Sequence, residues 1–205
     1  MRTVAGIVAC LGWFALALQL WLMLQQAPAH AWPGAVVTFL SFFTILTNLL
    51  VALVLTAVAL HPSGAWAEFL RRPTVQASTV GYITVVGVVY WLLLKHLWNP
   101  QGAQWVADNL LHTWQPAFYV LYWVFLAPKQ GLRWVDPVLW LAYPLVYVLY
   151  TLARGAVIGV YPYPFVDVNV VGYARALGNT GMLLVVFLGL GLVVAAAGRR
   201  LARRG

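Results

Sequence analysis

Apolar residues gather in six runs along the chain, and each is long enough to cross a bilayer as a helix, which takes about 20 residues. The runs lie at about 4–24, 36–60, 75–97, 105–127, 135–157 and 179–197. None alternates apolar with polar positions as a barrel strand does. A segment in lipid must also satisfy its own backbone hydrogen bonds, so each run predicts a helix. Prolines mark the joints, at Pro28, Pro33, Pro62, Pro73, Pro100, Pro128, Pro162 and Pro164. The expected fold is an all-α membrane protein: a single six-helix transmembrane bundle over residues 1–205, with both termini cytoplasmic. No internal repeat stands out, which argues against an inverted-repeat transporter. Arg2, the first apolar run and Ala29-His30-Ala31 together imitate a signal peptide with its cleavage site. The run from Val4 to Leu24 is too long for a signal core, so it reads as helix 1.

Polar residues interrupt the second and fourth runs. Ser41, Thr44 and Asn48 stand at i, i+3 and i+7, on one face of a continuous helix, with Thr47 pointing elsewhere. In the fourth run His112 has Asp108 four residues before it, Gln115 three after and Pro116 four after. Proline has no N–H, so the His112 carbonyl is expected to lose its helical partner. Counted from the outer ends of their helices, Thr44 and His112 each lie about eight residues in, roughly 12 Å deep. The remaining polarity falls at the same end: Lys95, His96, Arg154, Tyr161, Asp167, Asn169 and Asn179.

Composition narrows the class. The chain is 63% hydrophobic and 8% charged, which excludes a soluble domain of 205 residues. The net charge of +8 invites a nucleic-acid reading, but its distribution opposes one. With six spans, nine of the twelve basic residues fall on the cytoplasmic side and three (Lys95, Arg154, Arg175) outside. The charge therefore reads as topology, with the C-terminal arginines on anionic lipid. The lone Cys10 excludes internal disulfides and CxxC redox chemistry. A haem between helices needs two histidines at matched depth, and His112 stands alone. No cofactor or metal is expected.

Hydroxyls and amides in membrane helices commonly serve as glue between helices. A threonine and a histidine at one depth also allow chemistry. Imidazole can take the proton of a hydroxyl nucleophile, a carboxylate such as Asp108 can orient the imidazole, and an amide such as Asn48 can steady an oxyanion. Arg154, Tyr161, Asp167 and Lys95 are candidates for holding a substrate head group or forming its entrance. The same aromatic segment also suits an interfacial belt.

The segments FFTILTN (42–48), NLLHTWQP (109–116) and the stretch from Arg154-Gly155 through Val160-Tyr161-Pro162-Tyr163-Pro164-Phe165 to Asp167 resemble the androgen-induced and androgen-dependent TFPI-regulating family. The closer likeness is to that family's bacterial relatives, which implies the inner membrane as location. The resemblance runs over nearly the whole chain. It implies a multi-pass hydrolase of fatty acid esters of hydroxy fatty acids, with a Thr nucleophile at Thr44 and its base at His112. Thr47 directly precedes Asn48 and keeps a second nucleophile position open, and the His-to-Pro spacing is one residue shorter than the family's. The expected partner is a lipid ester or fatty-acyl ligand within membrane lipid. The alternative is a non-catalytic lipid- or sterol-binding membrane protein, which needs the site but no nucleophile.

Overall fold

A computed structural model describes residues 1–203, which are helical almost throughout and contain no strand. Five helical segments are long and apolar enough to cross a membrane: Arg2–Gln25, Phe43–Leu60, Pro73–Leu97, Asp136–Ile158 and Val168–Ala202. They mark the chain as a membrane protein. The expected fourth span is one unbroken helical stretch over 102–125. Gln104, Asp108, Asn109, His112 and Gln115 dilute its hydropathy, and it is not among the five.

Two compact units divide the chain: residues 1–132 with the last turn from Gly198, and residues 133–197. In the first, α1 (Arg2–Gln25) lies along α3 (Phe43–Leu60). Ala5, Ala9, Gly12 and Ala15 form the buried stripe of α1. Lipid supplies no hydrophobic drive between helices, so such small residues stabilise the pair by close packing. A Cβ at Gly12 would stand 3.5 Å from Ala52 on α3 and 2.5 Å from Nε2 of Gln115, which would have to shift. α3 also packs on α5 (Pro73–Val89), and α5 on α7 (Gln115–Phe125). Flanked on both sides, α3 buries Val51, Ala52, Val54 and Leu55 completely.

The second expected span is interrupted. α2 (Trp32–Phe39) ends in a turn over 40–42, and extended Phe42 (φ −88°, ψ 129°) caps a new helix at Phe43. Ser41 Oγ donates to the Val37 carbonyl at 2.6 Å, which closes α2 from within. Ser41 therefore stands outside α3, before the helix that carries Thr44 and Asn48. A short α4 (Ala65–Arg71) leads into α5. Two π turns follow. One, Tyr90–Leu94, extends α5 and runs on into a 3-10 turn at Lys95–Leu97. The other, Leu110–Trp114, joins α6 (Gly102–Asn109) to α7. In π register residue 116 would donate to the carbonyl of residue 111, and Pro116 has no N–H to give. The Leu111 carbonyl is thereby left without its donor in π register, just as the His112 carbonyl would be in α register.

In the second unit the expected span over 135–157 appears as α8 (Asp136–Trp140) and α9 (Ala142–Ile158). Pro144 denies the Trp140 carbonyl its helical donor, which accounts for the break at Leu141. α10 (Val168–Ala202) bends at Gly172, whose φ of 74° and ψ of 161° suit glycine alone. The helix outruns the apolar run at both ends, so Asn179 lies inside it rather than opening it. Its Nδ2 donates to the Phe165 carbonyl at 2.7 Å, and Asn169 Nδ2 to Gly159 at 2.9 Å, tying the preceding loop to the helix.

Candidate functional site

The two π turns meet around one carboxylate. Asp108, on α6, is 1% exposed. His112 is one turn on, and its Nδ1 lies 3.0 Å from the Asp108 backbone carbonyl and 3.3 Å from Oδ1. Both neighbours are acceptors, so Nδ1 is the protonated nitrogen, and whenever the ring is neutral its lone pair is on Nε2. The N–H points at the nearer carbonyl, and Oδ1 has no hydrogen-bond donor among the described residues. Tyr90, from the facing π turn, donates its hydroxyl to Asp108 Oδ2. The Tyr90 ring stacks on His112, with centroids 4.1 Å apart and planes 16° from parallel. Trp91 Nε1 donates to Thr113 Oγ1 at 3.1 Å and ties the two turns a second time. Lys95 Nζ stands 5.7 Å from the centroids of both Tyr90 and Trp91, which brings this cation to the rim of the same cluster.

Asn48 joins α3 to this cluster. Its Nδ2 donates to the Thr44 carbonyl at 2.9 Å and to the Leu111 carbonyl at 3.1 Å. The second bond reaches the carbonyl that Pro116 leaves without a backbone donor. One amide thus clasps the turn of Thr44 to the turn of His112. The clasp uses both amide hydrogens, so Asn48 has none left for the oxyanion role expected of it. Gln115 also turns away from His112: its Nε2 donates to Val8 on α1, at 3.3 Å.

Thr44 and Thr47 differ in access. Thr47 is fully buried, whereas Thr44 retains 8% exposure. Thr44 is the second residue of α3, in the turn whose N–H groups have no acceptor within the helix. The break at 40–42 places that positive helix end beside it.

Arg154, Tyr161 and Asp167 belong to the second unit. Asp167 Oδ1 accepts the Asn169 backbone N–H at 2.9 Å, as a helix-capping carboxylate does. The Tyr161 ring covers Gly155, where any Cβ would collide with it. Burial, and then the neighbouring Tyr173, raise the Tyr161 hydroxyl above its usual pKa of 10.0. Among the described residues no three His, Cys, Asp or Glu side chains gather as a metal ion would need.

Sequence reasoning missed Tyr90 and Trp91. Both read as apolar filling of the third span, although an aromatic with a polar tip in mid-span asks for a partner. Comparison with protein-family models, with curated proteins and with solved structures finds no match to this chain.

Proposed function

We propose that the protein is an intramembrane hydrolase of lipid-like esters, with Thr44 as nucleophile and His112 as base. The observation that carries this is the Asn48 amide, which holds the carbonyls of Thr44 and Leu111 and so sets the two reactive turns side by side. The tautomer supports it, since Nε2 of His112 is the nitrogen with a free lone pair. The greater access of Thr44 favours it over Thr47. The resemblance at residues 42–48 and 109–116 points to the same pair.

In this reading His112 Nε2 takes the Thr44 hydroxyl proton as Oγ1 attacks the ester carbonyl carbon. The tetrahedral oxyanion develops at the N-terminal end of α3, where the positive end of the helix dipole, rather than Asn48, steadies it. It collapses with cleavage of the ester C–O bond, and the departing alcohol takes the proton back from His112. Water, deprotonated by His112, then attacks the acyl-Thr44, and the carboxylic acid leaves with the threonine hydroxyl restored. Asp108 holds the ring through Nδ1, and Tyr90 holds Asp108. Lys95, at the rim, suits an anionic end of the substrate.

The alternative, a non-catalytic lipid- or sterol-binding protein, is favoured by one observation. The amide of Asn48 and the hydroxyl of Tyr90 are both spent on the protein itself. A fluorophosphonate probe separates the readings, applied to wild type, Thr44→Ala, Thr47→Ala and His112→Ala in detergent. Labelling that disappears in Thr44→Ala and His112→Ala but persists in Thr47→Ala is expected. Labelling unchanged in Thr44→Ala sinks the assignment, and no labelling of any form favours the binding protein.

A further inference from the structure

Away from the Asp108 cluster, the opposite end of α7 carries a buried cation without a counter-charge. Lys129, in the loop after α7, is 9% exposed. Its Nζ donates to the Ala127 carbonyl at 2.8 Å and lies 5.4 Å from the centroid of the Trp123 ring. An ammonium has three N–H groups, and among the described residues no carboxylate answers this one. Trp123 is 3% exposed, and its indole N–H, which can only donate, has no acceptor there. Two donor-only groups thus meet in one buried site, the ammonium over the indole ring and bonded to the Ala127 carbonyl, the indole N–H without an acceptor among the described residues. Such a place is costly unless an acceptor from outside completes it.

The surroundings are positive as well. Arg199 Nη1 donates to the Leu132 carbonyl at 2.7 Å. Gly198, beside it, leaves no room for a Cβ between Leu132 and the Cζ2 edge of Trp123, next to the indole nitrogen. Gln76 accepts from Tyr122 Oη at 2.9 Å and donates to the Arg71 carbonyl at 2.8 Å, which draws the Arg71–Arg72 segment to the same end of the unit. Burial lowers the Lys129 ammonium below its usual range, and an anion beside it would reverse that shift.

We propose that Lys129 and Trp123 form a binding site for a phosphate group, such as the head group of an anionic phospholipid, at the basic end of the first unit. The ammonium supplies charge and two spare N–H groups, the indole a fixed donor, and Arg199 the adjoining field. Native mass spectrometry of the whole protein in detergent tests this, with phosphatidylglycerol and phosphatidylcholine offered together. Wild type is expected to retain one phosphatidylglycerol with a preference of about tenfold, a factor in keeping with charge-assisted hydrogen bonds. Lys129→Met and Trp123→Phe should bring the preference to near unity, and Lys129→Arg should restore much of it. Thermal unfolding in phosphatidylcholine confirms that each variant folds. Excess inorganic phosphate that displaces the lipid would show that the site reads the phosphate from either source. Lipid retained against phosphate would assign it to the head group within the membrane. Equal retention by wild type, Lys129→Met and Trp123→Phe, or no preference in wild type with no effect of phosphate, overturns the proposal.

Discussion

Asn48 spends both amide hydrogens on carbonyls, and Pro116 cannot supply a backbone N–H to one of them, that of Leu111. Asn48→Leu keeps most of the volume and removes both bonds. The expected loss is about 1–2 kcal/mol, between the small gain of a typical intramembrane hydrogen bond and the larger cost of an orphaned buried carbonyl. Unfolding in graded SDS would measure it. Lys129 makes the other prediction at this scale. Its folded pKa lies below the usual 10.5 because burial penalises the charged form. Between the folded value and 10.5 the unfolded chain binds a proton that the folded chain does not. In neutral detergent the stability should therefore rise as pH increases through that window, and Lys129→Met should lose this rise. Unfolding midpoints of the two proteins, followed from neutral pH upward, give the comparison, and the difference between them isolates Lys129 from other titrating groups.

At the scale of elements, the π turn at Leu110–Trp114 decides where His112 points. Pro116→Ala supplies the missing N–H, and an α-helical turn becomes as well bonded as the π turn. Losing one residue of π register would rotate His112 by roughly 100° relative to α7. Fluorophosphonate labelling should fall at least tenfold while the unfolding midpoint stays level or rises, since a proline in a helix interior costs about 3 kcal/mol. Labelling equal to wild type would show that the turn does not depend on Pro116. This element also marks how far the sequence could be read. Long apolar stretches were legible because lipid permits little besides a helix. So was the closeness of Asp108 and His112, one turn apart on one helix, since their spacing alone sets it. The chain break at 40–42 was not legible, because no proline or glycine signals it and it rests on a serine hydroxyl folding back on Val37. Nor was the register of the π turn, in which Pro116 denies the Leu111 carbonyl its donor. The facing π turn with Tyr90 carries no sequence mark, and its partner is supplied only by tertiary contact.

For the whole molecule, the stretch over 102–125 decides the topology. If it crosses the membrane there are six spans and the basic residues divide nine to three between the two sides, as the positive-inside rule asks. If it does not, the termini fall on opposite sides. Arg2, Arg71, Arg72, Arg154 and Arg175 then face the seven other basic residues, and the bias disappears. Hydropathy alone leaves the stretch below the five apolar segments, but its bonds argue for crossing. In its first half Asp108 and Thr113 are tied to Tyr90 and Trp91, in the π turn that extends α5. Near its finish Tyr122 and Tyr119 are bonded to Gln76, at the beginning of α5. It therefore runs antiparallel to α5 along most of that helix's length. This pairing is the ground for expecting the stretch to cross beside α5, with Gln104 bonded to Gln19 on α1 and Gln115 to Val8 on α1. Reporter fusions at Met1 and after the last residue should both report the cytoplasm, and one inserted after Pro100 the opposite side. Termini on opposite sides would mean that the pairing of α5 with α7 does not carry the second of them across.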